Sequence, residues 1–157
     1  MAGKCKSWDT DKDGRLAAAI LLDQFSRQLF RKNPKAFSAD AKALQNTLKL
    51  LKNRSMFDEY TYLEKMFLLM PLEHDENPKH TKQMITEIDT MTAKLKADYP
   101  DKFDETYKGF CEKLRKFAVD HDAIVQKYGR YPHRNEVLGR QDTPEEVEYL
   151  KTAERYG

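Results

Sequence analysis

Cysteine, glycine and long apolar runs are all scarce in this 157-residue chain, and each scarcity removes a class of protein. Two cysteines, Cys5 and Cys111, have neither the number nor the spacing for a disulfide framework or a zinc site, so both read as reduced thiols. Six glycines, none in a cluster, leave no phosphate-cradling loop and no nucleophile elbow. The longest apolar run, residues 16–22, stops at Asp23, far short of the roughly 18 residues that a membrane span needs. Residues 1–8 show neither an apolar signal region nor an arginine-rich amphipathic helix, so the cytoplasm is the expected compartment.

What the chain does have is charge. Charged residues make up 34% and hydrophobic ones 39%, a balance that suits helices with one buried stripe and a wide solvated face. The length suffices for one core without staples, which predicts a single helical domain over 15–157 behind an N-terminal extension or turn over 1–14. The net charge of +2 conceals an asymmetry: residues 1–56 hold 12 Lys/Arg against 5 Asp/Glu, and the remainder 16 against 21. A basic third can meet nucleic acid, but these cations are spread along helical faces without interleaved aromatics, so a solvated face is the simpler reading.

Six prolines fall where apolar periodicity lapses, and proline both lacks a donor and restricts the residue before it. Between them the spacing predicts helices over 15–31, 38–52, 56–70, 79–99, 101–128 and 144–155, about six stacked as antiparallel hairpins in an all-α fold. Leu63, Met66, Phe67 and Met70 form one expected core face, and Met84, Ile85, Ile88, Met91 and Leu95 another. The fifth helix aligns Phe103, Tyr107, Phe110, Cys111, Leu114 and Phe117 with Ala118, His121, Ile124, Val125 and Tyr128 as its spine. Thr143, Pro144 and Glu146 supply a capping hydroxyl, an N1 proline and an N3 carboxylate for the last helix.

Four segments carry candidate chemistry. Residues 9–14 (DTDKDG) begin like a calcium loop, but the twelfth position is Ile20 and not glutamate, so a polar turn capping the first helix is the better reading. Asp23 and Arg27, four residues apart on the half-buried side of the first helix, read either as an ion pair that locks packing or as part of a ligand-facing cluster. Glu73 and His74, among Asp75 and Glu76 after a proline turn, suit acid–base work if both face one cavity, and otherwise form a solvated acidic loop. The segment 128–140 (YGRYPHRNEVLGR) packs arginines and His133 between two glycines, with Gly129 at a helix C′ position and Tyr131-Pro132 starting a turn that aims His133 and Arg134 in a fixed direction. The histidines follow no metal motif, and no metal or cofactor is expected.

Residues 21–31 (LLDQFSRQLFR), 67–74 (FLLMPLEH), and 128–140 with 143–146 (TPEE), in this order and spacing, are similar to the mainly bacterial helical proteins of domain-of-unknown-function family 924. The resemblance implies a tetratricopeptide-like superhelical fold and no established activity. It selects Asp23, Gln24, Arg27, Arg31, Glu73, His74, Arg130, His133, Arg134 and Asn135 as one polar network, a ligand site or a structural one. Family members carry further helix before the tryptophan that matches Trp8, so one helical layer is expected to be missing and apolar surface to be left for a protein partner or a second copy.

The resulting expectation is a non-catalytic helical binding or scaffold module, a subunit of a larger assembly, with no membrane span and no nucleic-acid partner. The alternative is a small-anion-binding protein or a hydrolase-type enzyme, with Glu73, His74 and His133 as candidate catalytic residues and the arginines as anion clamps.

Overall fold

The computed structural model describes Trp8 and residues 10–153. Cys5, Asp9 and the last two residues of the final predicted helix lie outside the described residues. Among the described residues there are helices and no strands, and no helix is long and apolar enough to cross a membrane.

Within the described residues eight helices replace the six expected. Helix α1 starts at Lys12 (Lys12–Ala19), passes through a wide π-wound turn (Ile20–Phe25) and closes at Ser26–Leu29. Asp11 is its N-cap and accepts the Gly14 amide at 2.7 Å, so the acidic turn serves the helix, and Asp13 and Gly14 lie inside it. Gly14 is required by contact: a Cβ there would sit 2.6 Å from the Trp8 Cα. After α1, Lys32 takes a left-handed φ of 61° and Asn33 caps a 3-10 turn, Pro34–Phe37.

Helix α2 is Asp40–Lys52, and α3, Arg54–Asp58, is split from it by Asn53, whose side chain accepts the Met56 amide. The single helix expected over 56–70 is therefore two. A capping box of Thr61 and Glu64 starts α4, Tyr62–Glu73. Pro71 does not end that helix as the sequence suggested but lies buried inside its last turn.

Helix α5, Pro78–Asp98, folds back along α4, so that Tyr62 Oη at the start of one donates to Asp98 at the end of the other, at 2.9 Å. Helix α6 runs Pro100–Lys102, π-wound Phe103–Tyr107 and Lys108–Tyr128, and returns along α5, with Thr81 Oγ1 donating to Asp122 at 2.6 Å. Two reversals leave α4 and α6 parallel. Gly129 (φ 68°) stops α6 as expected, a 3-10 turn (Pro132–Arg134) leads to α7 (Asn135–Leu138), and Thr143 with Glu146 caps α8 (Pro144–Thr152).

The main core gathers Leu50, Leu68, Leu69, Leu72, Met84 and Ile88, each at most 1% exposed. The α5 face is the one expected. The α4 face is not: Leu68, Leu69 and Leu72 carry the core, whereas Leu63 is 57% exposed and Met66 and Met70 are only partly buried. In α6, Phe110 and Phe117 also stay outside the core at 42% and 37%. The reason is rotational: the leucines, one residue or two along from the methionines, turn toward α5, and the methionines are left over an opening. Leu68→Ala is therefore expected to cost about 2–5 kcal/mol and Leu63→Ala less than about 0.5 kcal/mol, as read from denaturant midpoints.

Candidate functional site

The π-wound turn of α1 directs Asp23 inward, where it is 1% exposed. Its carboxylate receives His74 Nδ1 at 2.8 and 2.9 Å, Gln24 Nε2 at 2.5 Å, and the Arg27 guanidinium at 3.5 Å. Its main-chain carbonyl is taken up by Arg27 Nη1 at 3.0 Å and Ser26 Oγ at 3.3 Å, which supports the irregular turn. Burial opposes ionisation of Asp23, but the hydrogen bond and charge of His74, then Arg27, hold its pKa below the ordinary carboxylate value. Arg27 also grips Asp40, at the start of α2, with two bonds of 2.8 and 3.0 Å.

Above this cluster lies Arg134, 7% exposed and pressed between the rings of Phe37 (4.9 Å) and Tyr131 (4.4 Å). One of its five N–H groups donates to the His74 carbonyl at 2.9 Å, and its nearest carboxylate, Glu76, is 4.0 Å away. Among the described residues the other four donors have no protein acceptor. Burial, with the charge of Arg27, lowers the Arg134 pKa, the mark of a cation held with too little compensation.

Arg134 borders a cavity of about 1150 Å³, which also receives His74, His133, Arg27, Arg31 and Lys32. Among the described residues neither Arg31 nor Lys32 has a carboxylate partner. Lys32 stands at this rim in its left-handed conformation, which costs a non-glycine residue about 1–2 kcal/mol. His133 is pushed down to about 4 by burial, then by the charges of Arg134 and His121. Glu73 and His121 meet across the cavity floor at 3.7 Å. The Tyr131 hydroxyl donates to the Glu73 carbonyl, which ties α4 to the segment after α6.

Behind Arg134 a second set of contacts builds the wall. Glu76 accepts Arg140 at 2.5 and 3.0 Å and the Tyr131 amide at 2.9 Å. Arg140 Nε donates to Asn135 at 2.8 Å, and Asn135 donates to Asp142 at 2.6 Å and to Glu146 at 3.4 Å. Glu146 receives Arg130 through two bonds of 2.7 Å, and this fork above all holds its pKa down to about 2.

The residues singled out in the sequence thus fall in two places. Asp23, Gln24, Arg27 and His74 form the inner cluster, with Arg31, Glu73, His133 and Arg134 on the cavity, whereas Arg130 and Asn135 belong to the wall. The acidic run 73–76 does not act as one group, because Glu73 faces His121, Asp75 binds His80 at 2.6 Å, and Glu76 serves Arg140. Asp40, Glu76, Tyr131, Arg140 and Glu146 were not among the site candidates. Glu146 had the capping box as its signal, Glu76, Tyr131 and Arg140 lay within segments already singled out, and Asp40 had no signal.

An all-α protein with an arginine-rich cavity at the meeting of α1, α4 and α6 is the class these features define. Residues 1–154 match the family described as bacterial protein of unknown function (DUF924), and the chain belongs to that family. It is similar to the solved structure of a protein of unknown function from Agrobacterium tumefaciens, with 25% identity and a TM-score of 0.74 over 96% of this chain and 74% of that one. No curated protein matches it.

Because the folded pKa of His133 lies below the unfolded value of about 6.5, its neutral form contributes stability that is complete above that pH and lost as pH falls toward 4. Arg134→Gln removes a like charge and is expected to raise the His133 pKa from about 4, measured by NMR titration of the ring protons. A wild-type His133 that titrates near 6.5 would contradict the burial argument.

Proposed function

We propose that the chain is a non-catalytic, cytoplasmic helical binding module that holds a small anion in the Arg134 cavity. The observation that carries this reading is Arg134 itself: a buried guanidinium, framed by two aromatic faces, with four N–H donors that no acceptor among the described residues uses. These nitrogens are not sealed from solvent but open on the cavity, where an anion can take up their N–H groups as a fork. Arg31 and Lys32 add positive charge at the mouth, and neutral His133 is a further hydrogen-bonding group. The hairpin stacking of α4, α5 and α6 is in keeping with a tetratricopeptide-like superhelix, an arrangement that offers a ligand a concave face.

Two further observations favour neighbouring readings. Leu21, Phe25 and Leu29, at 37%, 53% and 69% exposure, repeat every four residues along the outside of α1, which supports a protein partner or a second copy on that face. The Asp23–His74 pair supports a hydrolase in which His74 activates water, since Asp23 holds one ring nitrogen and the ring borders the cavity.

Calorimetric titration with inorganic phosphate and acetate tests the anion site. Binding to the wild-type chain and a loss of at least about tenfold in Arg134→Gln are expected, in line with losing a charge-assisted pair. Equal affinities for the two proteins would remove Arg134 from the site.

A further inference from the structure

Four apolar side chains sit at core spacing in α4 and α6 yet stay out of the core: Met66, Met70, Phe110 and Phe117. All four line the Arg134 cavity, joined by Met84 from α5. Their order along the helices is what matters. Helices α4 and α6 are parallel, since Tyr62 at the start of α4 shares a cluster with Tyr107, about two turns into α6, and Glu73 at the end of α4 meets His121 further along α6. At one end of the trough both helices present apolar groups, Met66 and Phe110. At the other, both present polar ones, Glu73 and His74 from α4 and His121 from α6, beside Arg134 and Arg31.

The cavity is thus mainly apolar at one end and polar at the other, its lining cations Arg27, Arg31, Lys32 and Arg134 outnumbering Glu73, Glu136 and Asp142, and Met66 and His74 are separated by about 12 Å along the α4 axis at 1.5 Å per residue. A small inorganic anion fills only the cationic end. At about 1150 Å³ the space exceeds the range of about 300–1,000 Å³ usual for pockets that take whole organic ligands. Its apolar end is built of methionine and phenylalanine. Methionine is unbranched and adaptable, which suits a flexible chain better than a rigid ring system.

We infer that the cavity binds a single-chain amphiphile with a carboxylate or phosphate head. The head meets Arg134, Arg31 and Lys32, and the alkyl or acyl tail lies along Met70, Met66, Phe110 and Phe117. This inference rests on the anion-site reading above and adds the tail. Charge decides the direction of entry. Arg134, Arg31 and Lys32 gather at one end, while Lys113, further along, lies over the Phe117 ring at 5.9 Å. A carboxylate or phosphate placed beside Met66 and Phe110 would have Lys113 alone in place of Arg134, Arg31 and Lys32.

The test is a calorimetric series on the full chain, below micelle-forming concentrations, with acetate, butyrate, octanoate, laurate, dodecyl phosphate and dodecyltrimethylammonium. Affinity for the carboxylates is expected to rise by roughly threefold to fourfold per methylene until the trough is filled, then level off. Dodecyl phosphate against laurate identifies the preferred head, and a preference for either keeps the proposal. Phe110→Ser changes an already exposed residue, so folding is expected to persist, as circular dichroism would verify. It should weaken laurate at least about tenfold and leave acetate unchanged. Acetate binding as tightly as laurate would overturn the tail and leave the anion site standing. Dodecyltrimethylammonium binding as tightly as laurate would overturn the head, and no binding in any arm would overturn both readings.

Discussion

Asp23 is the carboxylate around which the rest of the site is ordered. At 1% exposure it is tolerated as an ion only because His74, Gln24 and Arg27 meet it, and removing one member of such a buried set typically costs about 3–5 kcal/mol. Meeting it fixes three elements at once. His74 holds the end of α4 against α1, Arg27 brings the start of α2 alongside through Asp40, and the His74 carbonyl locates Arg134. Even the π-wound turn belongs to this requirement, since the side chains of Arg27 and Ser26 satisfy the carbonyl at Asp23.

The two halves of the sequence bring opposite shares to the cavity. Arg27, Arg31 and Lys32 come from the basic first third, and Arg134 joins them from a segment that also brings Glu136 and Asp142 to the lining, while its Arg130 and Arg140 are absorbed in ion pairs. The wall formed by Glu76, Arg140, Asn135, Glu146 and Arg130 neutralises nearly every charge it contains. Arg134, with Glu76 only at 4.0 Å, is left as the cation that the wall does not neutralise. A surface of alternating sign therefore stands behind an opening in which Arg27, Arg31, Lys32, Lys113 and Arg134 outnumber Glu73, Glu136 and Asp142, and the excess favours anions.

What the sequence made legible was local. The Thr143 cap, the Gly129 stop and the buried face of α5 are written in adjacent residues and helical spacing, and they appear where expected. The α4 face was misjudged because hydrophobic spacing marks apolar stripes without saying which one meets the core, and α4 has two. Pro71 misled for a different reason: it forfeits the bond its amide would make to the carbonyl four residues back, yet the buried helix carries that single loss and runs on to Glu73. The partners of the candidate residues were illegible. Asp23 and His74 are 51 positions apart, and Arg140 and Glu76 are 64, so no neighbourhood in the sequence announces them. The carboxylates beside His74 were the natural candidates, but consecutive residues point in different directions and cannot serve one imidazole.

Glu146 performs two tasks with one carboxylate. It closes the capping box at Thr143 and receives the Arg130 fork, so the group that starts α8 is the group that docks it. A helix of nine residues is too short to persist on its own in water. Undocking and unwinding are consequently a single event for this segment: α8 has no loose-hinged state in which it swings away intact, and the wall behind the cavity is either fully built or locally melted.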